Sequence, residues 1–234
     1  MSLTTGSGPL APNPAGRFSA PVPAAVVYVE PFRRRVRGRS GGVVVLDSER
    51  VLLVHQPRRP PTYAFAAADV PAALGTPEPA APGYVQVPWD AVEEWFEEEE
   101  QMFFHPRNPY HRVDSVRTTR RLRVELAGVV LVDTTDTVGV YETALEPRLY
   151  VARAHVRTDL LRPSAADTRT YCPYKGVASY WDAVIGDTVV ADVAWSYEQP
   201  LPESTPIAGL LSFDETKTHL EADLPAPADL PWSP

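Results

Sequence analysis

The sequence predicts a mainly β protein made of two unequal copies of one small antiparallel domain. Three observations predict it. An internal repeat aligns Arg35 to Val70 with Arg121 to Val156 without a gap. Each copy opens on Arg-x-Arg, then a glycine and a run of Val and Leu, which reads as strand, turn and strand. The chain has 234 residues, 44% hydrophobic and 22% charged, enough apolar matter to fill two small cores.

The elements follow in chain order. Residues 1–24 are rich in Pro, Ala, Gly and Ser, which reads as a flexible arm. The repeat then pairs Arg35 with Arg121, Arg37 with Arg123, Gly42 with Gly128 and Asp47 with Asp133. Val43-Val44 and Val129-Val130 begin the second strand of each hairpin, and the two aspartates read as turn formers beyond it. Leu52 to His55 and Val138 to Tyr141 form the next strand. Pro61 and Pro147 mark a loop, and Tyr63 to Phe65 and Leu149 to Val151 a fourth strand.

The copies realign later, with Gly83-Tyr84-Val85 over Gly209-Leu210-Leu211. The second copy therefore holds an insertion of roughly forty residues, around Thr170 to Ile207. Within it, Asp182 to Val193 reads as a hairpin about Gly186-Asp187. Trp89, Val92 and Phe96 recur at helical spacing, so the first copy is expected to end in a helix over 89–100, with Glu93, Glu94 and Glu97 to Glu100 on its solvated face. Its counterpart, Thr216 to Ala222, alternates weakly and reads as a strand. The expected organisation is an N-terminal arm over 1–32, a shortened copy over 33–104, a linker over 105–120, a complete copy over 121–224 and a Pro-rich tail over 225–234 anchored by Trp232.

Composition excludes several classes. A formal net charge of -8 makes a poor partner for nucleic acid or anionic lipid. The arginine clusters at 33–39 and 117–123 superpose in the repeat, so they read as strand-entry positions rather than a nucleic-acid surface. No run of eighteen apolar residues and no signal peptide is expected. Cys172 is the one cysteine, which fits a cytoplasmic location and leaves neither an internal disulfide nor a four-cysteine zinc site.

Several strings resemble the domain-of-unknown-function 427 family in its long, two-copy version. They are Cys172-Pro173-Tyr174-Lys175-Gly176, Ala178 to Trp181, Ala194 to Tyr197 and Pro206 to Gly209. The linker His105 to Asp114, Pro14 to Phe18 and Tyr28 to Pro31 extend the likeness over nearly the whole chain. The resemblance implies a β-tent fold, a small barrel or sandwich with one or two short helices, shared with methionine sulfoxide reductase B and the ligand-binding domain of cereblon. Those relatives usually hold zinc between paired cysteines, which this chain lacks. The family also carries a nucleotidyltransferase-like label, yet no Gly-rich phosphate loop or spaced carboxylate pair for magnesium is present. The likeness near the start implies that the arm is docked.

The candidate site lies in the insertion. Tyr171, Tyr174, Tyr180, Trp181, Trp195 and Tyr197 offer aromatic walls with polar tips, joined by Ser179, and suit a flat or cationic small-molecule ligand. The bland alternative is core filling. Cys172 with Lys175 three residues on is the candidate catalytic pair, because a neighbouring ammonium favours a thiolate. A buried structural cysteine and a solvated turn lysine are the alternatives. The linker reads first as packed, with Arg107 and Arg112 bonded to backbone or acids such as Asp114, while His105, Arg107 and His111 could alternatively bind an anion. Their spacing, broken by Pro106 and Pro109, fits no metal site. Ser179 and Ser196 lie in no nucleophile elbow. No cofactor is expected. A small-molecule binding module leads, an enzyme using Cys172 comes second, and an interaction role, including a homodimer through Trp89, Trp95 and Phe96, third.

Overall fold

The computed structural model describes residues 3–20 and 26–226. The Pro-rich tail with Trp232, and part of the arm, lie outside the described residues. The chain divides into two units, Met1–His111 and Arg112–Pro234. Both are antiparallel β, and no sheet closes into a barrel.

The first unit holds β1 (Tyr28–Phe32), β2 (Val36–Ser40), β3 (Val43–Ser48), β4 (Val51–His55) and β5 (Thr62–Ala66). Then come β6 (Thr76–Pro77), β7 (Tyr84–Gln86), β8 (Glu94–Glu97) and β9 (Glu100–Met102). They form two sheets, of order β1-β4-β5-β7-β6 and β3-β2-β8-β9. The β2–β3 turn places Gly41 and Gly42 at φ 56° and 77°, the left-handed backbone a two-residue hairpin turn requires. Alternate positions turn inward, where Val36, Leu53, Phe65 and Trp95 are buried. The Trp95 ring stacks on Phe65 at 6.0 Å and on Trp89 at 5.4 Å, and its Nε1 donates to the Trp89 carbonyl at 2.8 Å. Each aromatic pair adds about 0.5–1.5 kcal/mol beyond area burial. The described part of the arm is tied down: Arg58 N donates to the Thr4 carbonyl, and Thr4 Oγ1 to the Arg59 carbonyl.

The helix expected over 89–100 does not form. A 3-10 turn covers Trp89–Ala91, and β8 and β9 follow as a hairpin. The reason lies in the neighbouring strand. β2 carries arginines that the glutamates pair with, Arg37 with Glu99 at 2.8 Å and Arg39 with Glu94 at 3.7 Å. Extended backbone also turns Trp95 and Glu97 inward together, where Glu97 receives the Tyr63 hydroxyl at 2.7 Å. Among the described residues every helical segment is a short 3-10 turn.

The second unit holds β10 (Val113–Thr118), β11 (Leu122–Leu126), β12 (Val129–Thr134), β13 (Thr137–Glu142) and β14 (Arg148–Val151). Next come β15 (Leu161–Pro163), β16 (Arg169–Cys172), β17 (Gly176–Ile185), β18 (Thr188–Ser196), β19 (Leu211–Phe213) and β20 (His219–Ala222). The large sheet runs β10-β13-β14-β19-β18-β17-β15, with β16 also on β17, and the small one β12-β11-β20. The division of the chain falls inside the stretch read as a linker, and β10 belongs to the large sheet.

The two aspartates read as turn formers sit in strands instead. Arg35 Nε donates to Asp47 Oδ1 at 2.7 Å, and Arg121 Nε to Asp133 Oδ1 at 2.7 Å. In both cases the hydrogen bond from the arginine is the main cause holding the carboxyl below its ordinary value. Each hairpin also carries a bulge, with the register shifting after Gly38 in β2 and after Val124 in β11.

The long β17–β18 hairpin turns at Gly186, and its register shifts between Trp181 and Ala183. Asp182 seals that irregularity. Its carboxylate accepts the backbone N–H of Ala165 at 2.9 Å and of Asp192 at 3.0 Å, while Asp192 itself sits at φ 53°. Burial would raise the Asp182 carboxyl, but those two backbone bonds and Arg162 hold it below the ordinary value.

Asp182→Asn keeps the shape but turns an N–H₂ toward a backbone donor. The expected loss is about 1–3 kcal/mol at neutral pH by denaturant unfolding. Because the folded carboxyl is depressed, its stabilisation is full above the unfolded value of about 3.9 and fades as pH falls through the lower folded one. The asparagine variant should lack that step in an acid titration of stability.

Candidate functional site

The Cys172-Pro-Tyr-Lys-Gly176 string is a hairpin turn. Cys172 ends β16 and pairs with Gly176 at the start of β17, so Pro173, Tyr174 and Lys175 form the loop. Gly176 has φ 97°, a conformation L side chains rarely adopt, which accounts for glycine there. Leu201 N donates to the Lys175 carbonyl at 3.1 Å and Ser204 Oγ to the Tyr174 carbonyl at 3.3 Å, fixing the loop. Tyr174 is buried in a core cluster with Val113, Val140, Tyr150, Tyr197 and Ile207.

Lys175 leaves this loop to form an ion pair with Glu142, at the end of β13. The side chains are only 12% and 8% exposed, so this is a nearly buried pair. Removing one partner would strand the other's charge, whereas together they are close to neutral in cost. The Tyr197 ring lies 6.0 Å from the Lys175 ammonium.

Beside this pair opens a cavity of about 480 Å³, within the range of small-molecule sites. Strand alternation builds its walls. Tyr180 and Trp195 are direct partners across β17 and β18 and point to the cavity side, as Tyr197 does two residues on. Trp195 Nε1 donates to the Tyr150 hydroxyl at 3.0 Å, with the rings edge to face at 6.4 Å. Above Trp195 lies the Arg148 guanidinium, 5.3 Å from the ring centroid and bonded to Glu215 at 2.7 and 3.2 Å. Burial is the main cause pushing the Tyr150 and Tyr197 hydroxyls well above their ordinary value, so both stay protonated at neutral pH.

The structure brings Lys175, Trp195 and Tyr197 together at this cavity, with Tyr174 packed in the core cluster behind it. Cys172 is half-buried against the same cluster and is not part of the cavity lining. Ser179 and Trp181 alternate onto the opposite face, where Trp181 Nε1 donates to Ser196 Oγ at 3.0 Å beneath Arg153. His105, Arg107 and His111 belong to the first unit. His105 donates through Nδ1 to the Pro106 carbonyl at 2.7 Å, and burial lowers its basicity. Arg107 pairs with Glu100 at 2.9 Å, and His111 is buried. Among the described residues no group of three His, Cys, Asp or Glu could hold a metal ion.

Sequence reading missed Glu142, Arg148, Tyr150 and Glu215. One signal was available: Glu142 continues the inward series Val138, Val140 at period two, where an acid needs a buried partner.

These features define a small antiparallel β domain with an aromatic-walled, internally charged cavity. Residues 114–223, almost all of the second unit, match the family model described as a domain of unknown function (DUF427), and the match supports membership of that family. No curated protein matches the chain.

Lys175→Met should destabilise the protein by roughly 3 kcal/mol, because Glu142 keeps an uncompensated charge in a nearly buried position. Adding Glu142→Gln should restore much of that loss. Denaturant unfolding of the two single variants and the double variant measures the coupling.

Proposed function

We propose that the second unit is a small-molecule-binding module, with Lys175, Tyr180, Trp195 and Tyr197 at its ligand site. The observation that carries this reading is the cavity of about 480 Å³, with aromatic walls and an ion pair beside it. A concave space of this size with ring faces and a few charged groups on its walls is the usual form of a small-molecule site.

The reading treats the two units as unequal copies of one β-tent domain. What supports this is shared register: Val85 meets Phe65 in the first unit as Leu211 meets Val151 in the second. On this alignment Tyr150 falls on Ala64, so the first unit lacks a wall of the site. On this reading the second unit, which carries the Tyr150 wall, is the specialised one.

An enzyme acting through Cys172 is the second reading. Its support is a partly exposed thiol packed beside the Tyr150 and Tyr197 cluster. Against it stands Lys175, whose ammonium is engaged by Glu142.

A metabolite screen by thermal unfolding tests the binding reading. A ligand at a hundredfold excess over Kd should add about 2.7 kcal/mol of stability, a shift of several degrees. The shift should vanish in Trp195→Ala and persist in Cys172→Ser. Abolition by Cys172→Ser alone would favour the thiol reading. Silence across the screen, with Trp195→Ala merely less stable, would end the binding proposal.

A further inference from the structure

The cavity of the second unit has a charge pattern that narrows its ligand. Four carboxylates line it, Glu142, Glu146, Asp214 and Glu215, against two cations, Lys175 and Arg148. Both cations are already matched, Lys175 by Glu142 and Arg148 by Glu215, and Asp214 is paired from outside the lining by Lys217 at 3.7 Å, which leaves Glu146 as the carboxylate in excess. Negative charge is therefore in excess in a space walled by ring faces, whose quadrupoles attract cations too.

The protein places its own cation at the prime position. Arg148 lies over Trp195 at 5.3 Å, held from the side by Glu215. This arrangement is easily undone, because Arg148 and Glu215 are 39% and 55% exposed and such pairs contribute little. The Lys175–Glu142 pair, nearly buried, is by contrast fixed. The ring face of Trp195 is thus occupied by an exchangeable group and flanked by a carboxylate that would be left free if Arg148 swung away.

We infer that the cavity takes an organic cation, a flat amidinium, guanidinium or ammonium compound, whose charged end replaces Arg148 on the Trp195 ring and pairs with Glu215. This rests on the binding reading above and adds the ligand's charge. Arg148 is then a specificity device: it keeps the ring face and carboxylate satisfied in the empty state and yields only to another cation.

Three compounds of nearly one shape test it: benzamidinium, neutral benzamide and anionic benzoate, titrated into the full-length protein with tryptophan fluorescence as readout. Trp195→Phe identifies the signal from the site. Benzamidinium should bind about five- to thirtyfold more tightly than benzamide, the range expected of a cation on a partly desolvated ring, and benzoate more weakly still. Arg148→Gln removes the competing guanidinium and should tighten benzamidinium while leaving benzoate weak. If benzamide or benzoate matched benzamidinium in a Trp195-dependent way, the cation inference would fall and the binding reading would stand. If Arg148→Gln weakened benzamidinium, Arg148 would be a ligand contact and the exchange idea would be wrong. If none of the three bound, the cation inference would fail, and the metabolite screen would decide the binding reading separately.

Discussion

The ion pair between Lys175 and Glu142 is the constraint on which the second unit's site depends. It ties a hairpin loop to the end of a strand thirty-three positions earlier in the chain. The bonds from Leu201 N and Ser204 Oγ to the loop's carbonyls hold the same loop in place. The loop, β13 and the aromatic faces of β17 and β18 line the cavity beside that pair. Two opposite charges held mostly out of water need each other, because removing one strands the other.

Hydrophobic packing divides the labour on either side of one hairpin. Tyr180, Trp195 and Tyr197 face the cavity cluster, while Trp181 and Ala194 face a second core with Leu131, Val193 and Phe213. A period of two residues is enough to assign neighbouring tryptophans opposite tasks. This explains why Ser179 and Trp181, adjacent in sequence to cavity residues, stand elsewhere. The register shift between Trp181 and Ala183 leaves extra residues on β18, including Asp192 with its positive φ, and the Asp182 carboxylate satisfies the backbone N–H groups of Ala165 and Asp192.

Much of the β architecture was legible because local patterns and fold agree. Arg-x-Arg, glycine and valine runs became the β2–β3 and β11–β12 hairpins, and the hairpin about Gly186 formed where turn chemistry placed it. The helix over 89–100 was misread because Trp89, Val92 and Phe96 fit a helical spacing while the deciding partners, Arg37 and Arg39, lie some fifty residues away in sequence. Of the candidate site, Lys175, Tyr180, Trp195 and Tyr197 were legible because they sit in one distinctive stretch, whereas Ser179 and Trp181 of the same stretch face the other way. Glu142, Arg148 and Glu215 were not, because each belongs to a different strand or loop and only the sheet order brings them to one place. In the linker, His105 bonds the Pro106 carbonyl and Arg107 pairs with Glu100, as a packed linker would.

The bulged outer strands have one more consequence. β3 and β12 end their small sheets, and an outer strand with unpaired backbone groups is a template for a foreign strand. Val43 and Val44 are exposed on one of them, which sharpens that hazard. The register shift in each hairpin twists the rim, and the bonded Arg35–Asp47 and Arg121–Asp133 pairs put charge along it. The irregularity and the charges together act as gatekeepers, discouraging the chain from propagating its own sheets into fibrils.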